Sequence, residues 1–317
     1  MTQNKKVALL IGGWNAEREV SIDKGKHVER ALIDGGYDVS VIDVTRDIQK
    51  LLHDITIAAP DVVFNNIYGR IGEDGTLQGL LEMLEIPYTN SGVMASAIAM
   101  DKPMAKKMMQ MVGGNVPKGG LATREETLLE SIAPSPYVIK PYNEGSSFDT
   151  YIIKDGNDTA PILDNWNYGD HALIEEYIPG KELTVAVLDG KAQGVTEIIS
   201  HAQDFFDYEA KYEDDQTELV LPAKIPQDVY QAALDLSEKV YNIIGCHGLA
   251  RCDYRYDDTK GVEGLYFLEI NNPPGMTAES IGPSQCVYNG MSFVQLCSHL
   301  VETAKCHGLV NYSIKSA

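Results

Sequence analysis

Several things are absent from this sequence, and each absence excludes something. No apolar run approaches the ~20 residues of a membrane span. The opening Met1-Thr2-Gln3-Asn4-Lys5-Lys6 passes at once into a strand-like run, which predicts no secretion signal. The five cysteines, at 246, 252, 286, 297 and 306, form no CxxC pair. An odd, scattered set predicts reduced thiols in a cytoplasmic enzyme, each serving as a small core residue. Positive charge is scarce: 26 Lys and Arg face 46 Asp and Glu, for a net charge of −20. That balance argues against the basic face of a nucleic-acid binder but leaves room for a local phosphate site. There is no Walker A sequence, no GxGxxG, no internal repeat and no low-complexity tract.

What is present suits a globular enzyme. A hydrophobic fraction of 44 % with 23 % charge is that of a folded, soluble chain, and 317 residues suit two or three packed domains. The first hundred residues alternate strand and helix signals. Val7-Ala8-Leu9-Leu10-Ile11, Val39 to Val44 and Val62-Val63-Phe64 read as strands. Ser21 is placed to cap a helix running to about Ile33, stopped by Gly35-Gly36, and Gly75 to Leu84 reads as another helix. This βαβ rhythm predicts an open, mostly parallel sheet. A helical stretch from Val93 to Met111 follows, broken at Asp101 and Pro103.

From Pro134 the texture becomes α+β, with antiparallel pairs expected. Strands are predicted at Tyr137 to Lys140, Ala172 to Ile174, Leu183 to Val187, Gly194 to Ile199, Leu249 to Tyr256 and Leu265 to Ile270. Helices are predicted over Asp228 to Ile244 and Ser292 to Thr303.

Three segments carry chemistry. Arg251-Cys252-Asp253 lies in one strand and Glu269-Ile270-Asn271 ends another. Strand side chains alternate faces, so Arg251 shares a face with Asp253, and Glu269 with Asn271. If the strands pair, three oxygen donors converge beside one guanidinium. Such a set suits a hard cation such as Mg²⁺, completed by phosphate and water. A surface cluster of charges at strand ends fits the spacing equally well. Asn271-Asn272-Pro273-Pro274-Gly275-Met276 then forms a stiff turn, in which the Gly275 N–H is available to an oxyanion or simply leads into a helix. In Lys140-Pro141-Tyr142-Asn143-Glu144-Gly145-Ser146-Ser147 a strand lysine precedes small residues whose backbone could cradle phosphate, or form an ordinary hairpin loop. Leu173 to Glu182 is an acidic strand–turn–strand that could border a nucleotide base.

In their order, these pieces resemble the ATP-grasp superfamily: strand lysine, glycine–serine loop, acidic hinge, R-x-D, E-x-N and a Pro-Gly turn. Further motifs resemble the D-alanine–D-alanine ligase family. They are Gly12-Gly13-Trp14-Asn15-Ala16-Glu17-Arg18-Glu19-Val20-Ser21, Gly69-Arg70-Ile71-Gly72-Glu73-Asp74-Gly75-Thr76-Leu77-Gln78-Gly79, Ser91 to Ser96, Met100-Asp101-Lys102, Tyr208-Glu209-Ala210-Lys211-Tyr212, Gly275-Met276-Thr277 and Gly290-Met291-Ser292-Phe293. The resemblance spans about residues 6 to 304.

The resemblance implies an N-terminal open parallel α/β domain (1–98) and a two-part ATP-grasp fold, with a central subdomain (99–178) and a C-terminal one carrying a mobile loop (179–317). It implies ATP-dependent joining of two D-alanines through an acyl phosphate, for peptidoglycan precursor synthesis. It also implies two Mg²⁺ ions (or Mn²⁺ in their place), a homodimer, and no nucleic-acid or membrane partner. Glu17 would hold the first ammonium, in a hydrogen-bonded set with Ser146 and Tyr212. Arg251 and the Gly275 N–H would stabilise developing charge. Lys211, Ser280, Ile281 and Tyr68 would meet the second substrate. Lys102, Lys140, Glu144, Ser146, Ser147, Glu175, Glu176, Tyr177, Ile178, Glu182 and Lys211 would bind ATP, and Asp253, Glu269 and Asn271 the metal.

The chain departs from the family pattern at three places. Tyr68 stands where a histidine is usual, which predicts an altered hold on the second substrate. Asp149 replaces the last glycine of the Gly-Ser-Ser-x-Gly loop, putting a carboxylate near phosphates. Asn272-Pro273 stiffens the turn. These departures keep two alternatives open: a D-alanine–D-lactate ligase, and a degenerate ATP-grasp protein that binds nucleotide without ligating. The polar stretch from about His201 to Ala223 is expected to be a lid.

Overall fold

The first apolar run forms strand β1 (Lys6–Gly12), flanked by β2 (Asp38–Val44) and β3 (Val62–Asn65) and parallel to both, as the βαβ rhythm predicts. The computed structural model describes residues 4–128, 135–145, 149–154, 165–200 and 217–308. Both faces of this sheet are covered, which is why β1 is a continuous apolar run. Val7 and Leu9 point to Val28, Leu32, Leu296 and Leu300; Ala8 and Leu10 point to Leu51, Ile55, Leu77 and Leu81.

Helix α1 (Arg18–Asp34) departs from the sequence expectation at its start. Ser21 is not its cap. Glu17 holds the cap position, and Ser21 lies one turn inside, fully buried. Its hydroxyl accepts from the Gly12 N–H at 2.9 Å and donates to the Asn66 carbonyl at 2.7 Å. The serine therefore satisfies backbone groups at the ends of β1 and β3 rather than those of its own helix. The earlier start brings Glu17 to the carboxyl edge of the sheet, where open α/β sheets present their ligands.

Helices α2 (Ile48–Ala58) and α3 (Thr76–Met83) complete this part. The next helical stretch breaks as expected into α4 (Val93–Met100) and α5 (Lys102–Met111). Asp101 caps α5, accepting from the Met104 N–H at 2.9 Å, and Pro103 occupies the first turn, where its missing N–H costs nothing.

A four-stranded antiparallel sheet follows, in the order β4-β7-β5-β6: β4 (Gly119–Ala122), β5 (Tyr137–Lys140), β6 (Tyr151–Ile153) and β7 (Ala172–Glu176). A five-stranded antiparallel sheet comes next, in the order β10-β9-β8-β11-β12. Its strands are β8 (Lys181–Leu188), β9 (Lys191–Ser200), β10 (Thr217–Val220), β11 (Leu249–Tyr256) and β12 (Leu265–Asn271). Helix α6 (Gln227–Ile244) packs its apolar face on this sheet together with α5. Then α7 (Ile281–Tyr288) and α8 (Phe293–Thr303) lead back to α1. Ser292 caps α8 in a reciprocal capping box with Gln295.

The sequence reading did not name α2, β4, β6, β10 or α7. Strand β10 lies within the stretch expected to be a lid; the rest of that stretch, 201–216, lies outside the described residues. Among the described residues no helix is long and apolar enough to cross a membrane. All five cysteines are free, and Cys252, Cys286 and Cys297 are buried.

Candidate active site

Strands β11 and β12 pair antiparallel with Arg251 opposite Asn271 and Asp253 opposite Glu269. The convergence expected from alternation is therefore present. Arg251 grips its own strand neighbour with two parallel bonds, Nε to Asp253 Oδ1 at 2.8 Å and Nη2 to Oδ2 at 2.7 Å. Thr184 Oγ1 and Asn271 Nδ2 also donate to Asp253, at 2.7 and 2.9 Å. The carboxylate is thus fixed in place before any ligand arrives. Across the ladder, Glu269 meets Lys102 Nζ at 3.1 Å, and the same ammonium donates to the Glu144 carbonyl at 2.8 Å.

Like charges directly opposite on neighbouring strands repel, and Asp253 and Glu269 are such a pair. Lys102 and Arg251 offset this in part. A hard divalent cation would offset it further, and the all-oxygen donor set of Asp253, Glu269 and the Asn271 amide fits Mg²⁺.

Beside this ladder lies a second group of charges, from the N-terminal sheet. Glu17 is buried, and its carboxylate rests against the α-carbons of two glycines, Gly69 and Gly145, leaving no space for a side chain at either. Gly69 also has φ +69°, a conformation glycine adopts without strain. Glu73 is buried close by. Burial and the neighbouring Glu17 hold its carboxyl well above the ordinary range, against the Gly69 N–H and Arg251. Lys24, two helical turns after Glu17, reaches the same place. Burial and Arg251 bring its ammonium down to about 8, against the pull of Glu17, Asp23 and Glu73.

The Pro-Gly turn closes this side. The Met276 N–H donates to the Tyr68 hydroxyl at 3.0 Å, and that hydroxyl donates to Asn66 Oδ1 at 2.8 Å. Tyr68 therefore links the loop after β3 to the turn after β12. Ser280 caps α7 in position, and its hydroxyl is held by Thr277 Oγ1 at 2.9 Å. Ile281 opens that helix and packs near Ile198.

The expected nucleotide side lies on β5 and β7. Glu175 is buried between two lysines: Lys140 Nζ at 3.0 Å and Lys106 Nζ in direct contact. Burial pushes Glu175 up, but the two lysine charges overcome it and leave it below its ordinary value. Burial likewise lowers Lys106 to about 7, with Lys140 adding to the shift and Glu175 opposing it. Glu176 accepts from the Lys118 N–H at 3.0 Å. Arg255, on the same face of β11 as Arg251 and Asp253, donates to the Ile178 carbonyl at 3.0 Å, lies over the Tyr177 ring at 5.5 Å and meets Glu182 at 3.7 Å. Burial raises the carboxyl of Glu144, which pairs with Arg70 at 3.7 Å. Asp149 has φ +51° and so takes up the left-handed geometry that a glycine in its place would favour.

Ser146, Ser147, Lys211 and Tyr212 lie outside the described residues. The remaining expected residues fall into two groups. One is the Glu17–Lys102–Arg251–Asp253–Glu269–Asn271 centre with Tyr68, Gly275, Ser280 and the adjoining Ile281. The other is the Lys140–Glu175–Ile178–Glu182 hinge with Glu144, Glu176 and Tyr177. Four charged residues of these groups were missed: Lys24, Glu73, Lys106 and Arg255. A signal existed for two. Lys24 falls on the Glu17 face of α1 once the helix starts at Arg18, and Arg255 continues the alternation of Arg251 and Asp253.

Two family models match the chain: D-ala D-ala ligase N-terminus over residues 48–91 and D-ala D-ala ligase C-terminus over residues 121–302. A D-alanine–D-alanine ligase of Zymomonas mobilis is 44 % identical over 96 % of this chain and 95 % of its own length. One from Granulibacter bethesdensis is 45 % identical, covering 95 % and 98 %. Among solved structures, D-alanine–D-alanine ligase from Bacillus anthracis complexed with ATP superposes with a TM-score of 0.80 at 29 % identity, covering 95 % of this chain and 97 % of that one. The VanG D-Ala:D-Ser ligase from Enterococcus faecalis gives 0.78 at 27 %, covering 95 % and 99 %.

Proposed function

The chain belongs to the D-alanine–D-alanine ligase family, and on that premise we propose how its own residues divide the work. It is an ATP-dependent ligase with an ATP-grasp fold, joining two D-alanines into the dipeptide used for cell-wall synthesis. ATP phosphorylates the carboxylate of the first D-alanine. The amine of the second attacks the acyl phosphate, and the tetrahedral intermediate expels phosphate.

Glu17 pairs with the ammonium of the first D-alanine, with Ser146 and Tyr212 completing its hydrogen-bonded set. Lys102 and Lys140 face the ATP phosphates, together with Glu144 and the Ser146-Ser147 backbone. Glu175, Glu176, Tyr177 and Ile178 border the adenine, and Glu182 the ribose. Arg251 and the Gly275 N–H stabilise charge on the transferring phosphate and the tetrahedral oxygen. Ser280, Lys211 and Ile281 hold the second substrate beside Tyr68. Asp253, Glu269 and Asn271 would hold Mg²⁺, two ions in all, which supply charge neutralisation to the phosphates. Catalysis is then mostly positioning, and no strong general base is required.

We place the domain divisions at 98/99 and 178/179. The parallel sheet, the four-stranded sheet and the five-stranded sheet each fall within one of these segments, which supports the division. We also propose a cytoplasmic homodimer, which sedimentation of the purified protein would test.

The observation that carries this reading is the cross-strand convergence of Arg251, Asp253, Glu269 and Asn271 within the electrostatic reach of Glu17 and Glu73. The test is ADP release from ATP and Mg²⁺ with D-alanine, L-alanine, or D-alanine plus D-lactate, with the products weighed by mass spectrometry. A D-alanine-dependent dipeptide is expected. An ester formed with D-lactate at a comparable rate would favour the ester-forming alternative, for which Tyr68 is the residue to examine. ATP binding without turnover would favour a non-ligating protein.

A further inference from the structure

Lys24 belongs to none of the roles above, yet the structure sets it at the acceptor side of the centre. It is half-buried, on the face of α1 that carries Glu17 and Ser21. A methyl group placed on Gly275 would come within 2.6 Å of Lys24 Nζ and 3.4 Å of Ser280 Oγ. The ammonium and the hydroxyl therefore both border the place where a side chain at Gly275 would stand. Lys24 Nζ also stands 5.6 Å from the centre of the Tyr68 ring, over its face. The charged groups around it are Glu17, Asp23, Glu73 and Arg251.

We propose that Lys24 is a binding and specificity residue for the second substrate, its ammonium pairing with the carboxylate of the incoming amino acid beside Ser280. This rests on the ligase reading given above and adds to it a residue for the acceptor. Three features fit together. The tip of Lys24 abuts the turn whose N–H faces the reacting carbon, so a carboxylate held there places the attached amine next to that carbon. A phenol is not a cation near neutral pH where an imidazole can be one, so at Tyr68 it is Lys24 that brings a positive charge over the ring. An ammonium brought down to about 8 by burial is still mostly charged at neutral pH and poorly hydrated, a state that an arriving anion stabilises.

The experiment compares wild type with Lys24→Met, using D-alanine or D-alaninamide as acceptor. The amide keeps the attacking amine but has no carboxylate, and cannot be phosphorylated as the first substrate. Loss of a charge-assisted bond predicts that the KM of the second D-alanine rises roughly 10- to 100-fold. The constants for ATP, the first D-alanine and D-alaninamide should change less than about threefold, the size of a weak surface effect. The preference for D-alanine over the amide then collapses. An unchanged second-substrate KM, or an equal loss with both acceptors, would overturn the proposal and leave Lys24 as packing for Tyr68. If Lys24→Met loses ATP binding, the same comparison is made on Lys24→Gln, which keeps the chain length and a donor but not the charge. Absence of dipeptide from the wild type would instead defeat the ligase reading itself.

Discussion

The two antiparallel sheets that flank the candidate site carry their charges in opposite ways. In the larger one, β11 puts Ala250, Cys252, Tyr254 and Tyr256 into a broad apolar core with α5 and α6, and Arg251, Asp253 and Arg255 on the other face. The core holds the sheet, so the polar face can be given over to binding. In the smaller sheet the apolar cluster, among the described residues, is limited to Ala122, Tyr137, Ile139, Ile153, Tyr168, Ala172 and Ile174. Its other face carries Glu175 between Lys106 and Lys140, all buried. There the charges are part of the interior. On the smaller sheet the residues proposed to meet the nucleotide, Lys140 and Glu175, are thus also tied to each other in the interior, whereas on the larger sheet Arg251 and Asp253 form their pair on a face set apart from a much broader apolar core.

The largest test of this contrast is Glu175→Gln. Removing one member of a buried ionic group leaves the others uncompensated, at roughly 3–5 kcal/mol. Denaturant unfolding should show a loss of that order, and a variant as stable as wild type would break the comparison. On the larger sheet Arg251→Met should act on rate instead. Loss of one preorganised charge-stabilising donor costs about 10²–10³ in kcat. Its melting temperature should fall far less than that of Glu175→Gln; an equal fall would mean the polar face of β11 is structural after all.

A subtler effect concerns pH. In the folded protein Lys106 is lowered to about 7 from an ordinary 10.5. Between those values the unfolded chain holds a proton that the folded chain does not, so this group makes stability rise with pH across that window. Lys106→Met should flatten the rise in melting temperature measured from pH 7 to 9. A slope identical to wild type would assign the pH dependence elsewhere. The smallest effect is expected at Asp149→Gly, at the edge of the small sheet. Left-handed geometry costs an aspartate little, so stability should change by less than about 1 kcal/mol. If the phosphates bind beside the glycine–serine loop as proposed, removing this half-buried carboxylate should tighten ATP binding by about two- to fivefold, read by titration calorimetry.

How far the sequence reached follows the same physics. The Arg251–Asp253 and Glu269–Asn271 pairs were legible because strand alternation is a local rule, and pairing needed only that two adjacent strands meet. The break at Asp101-Lys102-Pro103 was legible because a cap and a first-turn proline are local too. Ser21 was misread because its hydroxyl answers to Gly12 and Asn66, the second of them 45 residues away in sequence. Lys106 lies 69 residues from Glu175, and no periodicity announces that contact. Strand β6, with three residues, is too short for any pattern to mark it. The site was therefore readable where neighbours in sequence share a strand and unreadable where a helix residue meets partners far from it in sequence.

The placement of Glu17 has a consequence for how this protein can vary. Its carboxylate is lodged against the α-carbons of Gly69 and Gly145, and a methyl group on Gly145 would also come within 2.9 Å of the Gly69 α-carbon. Three positions scattered over 128 intervals of the chain thus share one small volume. A library randomised at 69 and 145 and selected for function should return glycine at both while position 17 remains glutamate. If position 17 is shortened as well, the two glycines lose their common obstacle, and Gly145 becomes the freer of the pair because Gly69 keeps its left-handed backbone. Ancestry would then be written in these positions as a set, with changes arriving together or not at all.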